Sequence, residues 1–64
     1  MYAEFPHRLI GMSETEARKA IADENFSWQV IERDGVKISH HKNLNLSRVN
    51  LIVEDQMILR AYIG

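Results

Sequence analysis

Leu44-Asn45-Leu46-Ser47-Arg48-Val49-Asn50-Leu51-Ile52-Val53 reads as two extended segments in two different registers. Leu44 and Leu46 occupy even positions, whereas Val49, Leu51 and Val53 occupy odd ones. Side chains of a strand alternate between its two faces, so one continuous strand would throw the two apolar sets onto opposite sides of a sheet. Such a slip of one residue calls for a kink or change of direction near Ser47. The stretch therefore divides into a strand, Arg48 to Val53, and a preceding extended segment, Lys37 to Ser47, that does not continue it.

Downstream, Glu54-Asp55-Gln56 breaks the pattern and leads into a last strand, Met57 to Ile63. Upstream, Ser27 to Ile31 reads as a short strand, with Trp28 and Val30 on one side and Gln29 and Ile31 on the other. Arg33-Asp34-Gly35 is a turn signal; alone it predicts a tight hairpin continuing through Val36 and Ile38. Further upstream, Ser13-Glu14-Thr15-Glu16 forms a capping box, in which Ser13 accepts from a first-turn amide and Glu16 reaches back to the amide of Ser13. Glu14 and Glu16 also sit at the positive end of the helix dipole. The helix places Ala17, Ala20 and Ile21 on one face with Arg18 and Lys19 outward, and its end is predicted near Asp23 to Asn25. Pro6 favours an extended backbone before it, so the arm from Met1 to Gly11 is predicted to be non-helical.

At 64 residues the chain is expected to form one domain, near the lower edge of independent folding. It has no cysteine, which removes disulfides and thiolate metal sites from consideration. Its stability must come from one apolar core, for which 45% hydrophobic residues suffice. A formal net charge of -1, with both signs scattered, argues against a nucleic-acid binder, which needs a basic face. The apolar runs are too short to span a membrane. No basic region followed by an apolar run comes after Met1, so a cytoplasmic product is expected, a secreted form being the alternative.

Several residues are candidates for chemistry. His40-His41 sit side by side, but neighbours in an extended chain point opposite ways, and no cysteine or nearby carboxylate pair completes a zinc set. No metal and no cofactor is expected. Ser39, His41 and Asp34 are the ingredients of a triad, yet so short a chain offers no pocket to hold them, so the protein is not expected to be an enzyme. Trp28 reads as a core or core-rim residue, and Met12 and Met57 as gap-fillers.

Glu4-Phe5-Pro6, Leu9-Ile10-Gly11, Ser13, Glu16-Ala17 and Ile21, followed by Arg48-Val49-Asn50-Leu51-Ile52-Val53 and Ala61-Tyr62-Ile63-Gly64, occur in an order and spacing that resemble the potato inhibitor I family of serine-protease inhibitors, the eglin and barley chymotrypsin-inhibitor group. The resemblance covers nearly the whole chain. It implies an α/β (α+β) fold in which one helix packs on a small mixed β-sheet and a long exposed loop joins two parallel strands. Here the strands would be Ser27-Ile31 and Arg48-Val53, and the loop would run from about Val36 to Ser47, in place of the tight hairpin at Asp34-Gly35.

The same resemblance implies a function. The loop would lie in a protease active site like a substrate, with His40, His41, Lys42, Asn43 and Leu44 in contact with the enzyme and Lys42-Asn43 as the reactive bond. Lysine at that position suits a trypsin-like pocket, which carries a carboxylate. Arg48 and Asn50 would brace the loop from beneath. The sequence departs from the family pattern at His41, where many members carry threonine, at Asn43, where they carry an acidic residue, and at Asn50, which stands where a second supporting arginine is common. The alternative is a non-inhibitory binding module that keeps the fold and engages another macromolecule through the same loop. The expected partner is thus a serine protease or another protein, with the chain itself a monomer or a weak homo-oligomer that associates through Met57 to Ile63.

Overall fold

The computed structural model describes residues 5–64. Glu4 and Met1, on which parts of the sequence reading rest, lie outside the described residues. A 3-10 turn, Pro6–Leu9, is followed by the helix α1, Glu14–Asp23, and by four strands: β1, Ser27–Arg33; β2, Val36–Lys37; β3, Arg48–Glu54; and β4, Met57–Ile63. The strands form one mixed sheet in the order β2-β1-β3-β4. β1 runs parallel to β3, from Ser27 opposite Arg48 to Arg33 opposite Val53, with a bulge at Ile31 between Val30 and Glu32. The β1–β2 and β3–β4 pairs are antiparallel. The fold is therefore a compact α+β arrangement of one α-helix and a mixed sheet, as expected. No helix among the described residues is long and apolar enough to cross a membrane.

The helix starts where its cap dictates. Ser13 Oγ accepts from the Glu16 amide at 3.2 Å, and Glu16 Oε1 accepts from the Ser13 amide, also at 3.2 Å, so two of the orphan donors of the first turn are satisfied reciprocally. The helix ends at Asp23, and Asn25 takes a left-handed conformation that turns the chain towards β1. Ala17 and Ile21 face inward and join Val49, Leu51 and Val53 of β3, Ile58 and Ala61 of β4, and Phe5 and Leu9 in one core. The odd-numbered side chains of β3 thus all enter the core, as their alternation predicts. Trp28 lies at the rim, 37% exposed, with the Arg18 guanidinium 4.3 Å above its ring.

Three expectations need correction. The arm before α1 is not wholly non-helical: Phe5 is in the right-handed helical region and Pro6 opens a single 3-10 turn. Proline's fixed φ fits the first position of a helical turn, and one turn places Phe5 and Leu9 together in the core, a gain the local preference before proline does not outweigh. Met57 does not fill a gap: it is 44% exposed at the start of β4, where it bridges Ser13 on the sheet edge. Most consequentially, the chain after Gly35 does turn back on β1. Lys37 pairs with Glu32, Val36 pairs with Arg33, and the Ile38 amide donates to Ile31 at 2.9 Å. Asp34 and Gly35 both have positive φ, 51° and 81°, the conformation of a two-residue type I′ turn, for which Asp-Gly is a favoured pair. The local signal prevails over the longer loop that the family register implies, and the exposed loop is shortened to residues 38–47.

An ion pair ties α1 to the sheet. Arg33, at the end of β1, donates to both carboxylate oxygens of Glu14, at 2.6 and 2.9 Å, and Arg18 donates to the same carboxylate at 2.6 Å. The hydrogen bonding from Arg33 holds the Glu14 carboxyl below its ordinary value of 4.5, against the upward pull of burial. A carboxyl with a lowered folded-state pKa stabilises the fold fully above its unfolded pKa, and the contribution is lost as pH falls through the lower folded value.

Two measurements check this account. Ser13→Ala is expected to cost about 1 kcal/mol of unfolding free energy through the lost cap; an unchanged denaturation midpoint would place the helix start elsewhere. Glu14→Gln is expected to be less stable than the wild type at neutral pH, and the difference should close as acid protonates Glu14 in the folded wild type. A stability gap independent of pH would show that the charge of Glu14 is not what holds it.

Candidate functional site

The return from β2 to β3 crosses the face of the sheet opposite α1. Because Val49, Leu51 and Val53 face the core, Arg48 and Asn50 face this second side, yet they are only 7% and 5% exposed. The loop covers them, and polar groups so placed must find partners. Arg48 finds one on the loop itself, and Asn50 finds one in Gln29 of the neighbouring strand.

Arg48 reaches up from the first position of β3. One guanidinium nitrogen donates to the Asn43 carbonyl and, at 2.8 Å, to the carbonyl of Gly64 at the end of β4; Nε also donates to Gly64, at 3.2 Å. A planar guanidinium with a fixed fork of donors thus ties the loop to the far strand through a single rigid group. Gly64 is packed close beneath: a Cβ there would stand 3.3 Å from Asn50 Nδ2.

The other support comes from β1. The side-chain amide of Gln29 spans the backbone of His41, accepting from its N–H at 3.1 Å and donating to its C=O at 2.9 Å. The same Gln29 nitrogen donates to Asn50 Oδ1 at 2.7 Å, across the parallel register that sets Gln29 beside Asn50. The hydrogen bond of Asn50 is thus to Gln29, whose amide it orients, and through Gln29 it acts on the loop. Gln29 is a loop support that the residue pattern alone did not single out. Its place on the loop side of β1, opposite Trp28 and Val30, was readable, but its role follows from the pairing of β1 with β3.

Between these supports the loop is exposed. His41 and Asn43 are held through their main chains, so this bracing does not depend on the identity of their side chains. Lys42 stands between them with its side chain in solvent, and Leu44 beyond them is 76% exposed. His40 is half-buried and its Nδ1 donates to the Ile38 carbonyl at 2.7 Å, which fixes the proton on that nitrogen because a carbonyl only accepts. At the far end Asn45 Oδ1 accepts from the Ser47 amide at 2.9 Å, and the Arg48 amide donates to Asn45 at 3.2 Å. This turn is the change of direction that the two registers require. Asp34 is occupied elsewhere, its carboxylate accepting from the Asp55 amide at 2.7 Å where the two hairpin turns meet. It does not join Ser39 and His41. Among the described residues no group of three or more His, Cys, Asp or Glu side chains gathers as a metal site.

Arg48→Ala would leave the Asn43 carbonyl without its donor and the Gly64 carbonyl without the guanidinium. Cleavage within residues 38–47 by thermolysin, which cuts before leucine, is expected to accelerate by about tenfold or more while β1–β3 pairing persists. Unchanged cleavage would mean that Arg48 does not restrain the loop.

The chain matches none of the protein-family models and none of the curated proteins with which it was compared.

Proposed function

We propose that the protein is a substrate-like inhibitor of a serine protease, with Lys42-Asn43 as its reactive bond. One observation carries this reading: the main chain of the loop turns inward at alternate residues. His41 presents both its N–H and its C=O to Gln29, and Asn43 presents its C=O to Arg48. In an extended chain the polar groups of adjacent residues point to opposite edges. With 41 turned in, the main chains of 40 and 42 face the other way, where they can pair with a partner as an added strand; the chain then bends at Asn43. A substrate bound across a protease cleft has this arrangement, and Lys42 is the outward residue between the two braces. Its ammonium suits a pocket that carries a carboxylate, which makes a trypsin-like enzyme the favoured partner. No enzymatic turnover by the chain itself is part of this reading.

Fixing the loop before docking is what separates an inhibitor from a substrate. A segment already held in its bound shape loses little conformational freedom on binding, and the strand after the cleaved bond stays in place, so the bond can reform. The non-inhibitory binding module is the second reading, and one observation favours it: the chain re-pairs with β1 directly after Gly35, so the loop is shorter than the single long span the resemblance implies.

The decisive experiment is incubation with trypsin, chymotrypsin and subtilisin followed by assay of residual activity. The wild type is expected to inhibit trypsin. Lys42→Leu should weaken that inhibition by at least about a hundredfold and gain potency on chymotrypsin, because the docking side chain decides which pocket is filled. Equal potency of the variant on trypsin would exclude Lys42 as the specificity residue, and intact proteases with a rapidly nicked loop would favour the binding module.

A further inference from the structure

We propose that Gln29 is the positioning residue for the half of the loop that stays on the protease, and that the two braces divide the work between binding and resealing. The proposal rests on the inhibitory reading above. In that reading the protease serine hydroxyl attacks the Lys42 carbonyl carbon, forming an ester, breaking the Lys42–Asn43 C–N bond and passing its proton to the new Asn43 amine. Two fates follow. The amine attacks the ester, which restores the peptide bond and the serine hydroxyl, or water attacks it, which releases the Lys42 carboxylate and the serine hydroxyl.

The braces fall on opposite sides of that bond and on different strands. Gln29, on β1, holds His41, which belongs to the acyl segment. Arg48, on β3, holds Asn43, the residue that carries the leaving amine. Loss of Gln29 therefore frees the docking segment before it meets the enzyme but leaves the amine tethered. Loss of Arg48 lets the amine drift from the ester, so water gains. The first change weakens association; the second alters the partition after cleavage. Gln29 reaches its post through Asn50 Oδ1, which accepts from the nitrogen that also serves His41 and so fixes which way the amide faces. Asn50 is then the residue that orients the brace.

The test measures steady-state hydrolysis of the loop by trypsin together with hydrogen exchange of the His41 amide. Gln29→Ala is expected to raise KM about tenfold, as befits two lost hydrogen bonds, with kcat within about twofold of wild type. Arg48→Ala should do the reverse and raise kcat. The His41 amide should exchange at least about tenfold faster in Gln29→Ala, with the Leu51 amide unchanged. Should Gln29→Ala fail to fold, Gln29→Glu keeps the volume while setting its carboxylate against the His41 carbonyl and Asn50 Oδ1, and the same split is expected. A rise of kcat in the Gln29 variant equal to that of Arg48→Ala, or unchanged His41 exchange, would overturn the proposal. Cleavage of the wild type at the rate of an unstructured peptide would overturn it at its premise. Faster His41 exchange in the variant would then mark the failure as one of the inhibitory reading and not of the Gln29 contact.

Discussion

The parallel pairing of β1 with β3 is the constraint on which the rest of the structure depends. Parallel strands cannot be joined by a tight turn; the chain must travel back along the sheet before the second strand begins. β1 is seven residues long, so that return spans roughly 23 Å at the rise of an extended chain. In most such connections a helix makes the journey and covers the sheet with apolar side chains. Here the helix lies before β1 and already covers the other face. The return is made by a short hairpin and an extended loop, and the sheet beneath them is left to be sealed by polar groups.

That explains the composition of the loop-facing side. Packing alone is non-directional and would let an extended segment slide. Hydrogen bonds fix position, but their donors and acceptors become costly once buried, unless each finds a partner. Arg48 and Asn50 meet that condition, and no buried side-chain nitrogen or oxygen among the described residues lacks a partner. The rigidity of the loop is therefore bound to the integrity of the sheet. Arg48 works only because Gly64 closes β4 beside it, and Gln29 works only because the parallel register puts Asn50 next to it.

What could be read from the sequence follows from how local each cause is. The capping box needs residues three apart, and it placed the start of α1 without tertiary information. The switch of register around Ser47 needs only the alternation of apolar side chains, and it separated loop from strand. The Asp34-Gly35 turn was equally local, and the structure follows it; the family register failed there because it carries no information on the local pairing that Asp34-Gly35 favours. Pro6 shows the opposite case, in which burial of Phe5 and Leu9 overrides a local rule. Gln29 lies beyond such reasoning. Nothing in Trp28-Gln29-Val30 distinguishes a solvated glutamine from one that grips a loop twelve residues away, because the grip exists only once a parallel partner has been chosen.

The hairpin and the exposed loop are compatible for the same reason. β2 is two residues long, and its last contact, the Ile38 amide on Ile31, becomes the first anchor of the loop. The next anchors are His41 on Gln29, Asn43 on Arg48, and the Ser47 carbonyl, which accepts from the Ser27 amide at 2.9 Å. No interval between anchors is longer than four residues. Ordering a backbone costs about 1–2 kcal/mol per residue, and for this segment the cost is met when the domain folds. The anchors all engage main-chain groups, so the side chains of Lys42 and Leu44 remain in solvent on a backbone that is already fixed. A loop assembled in this way is anchored along its length and exposed at once, the combination that the proposed docking in a protease cleft requires.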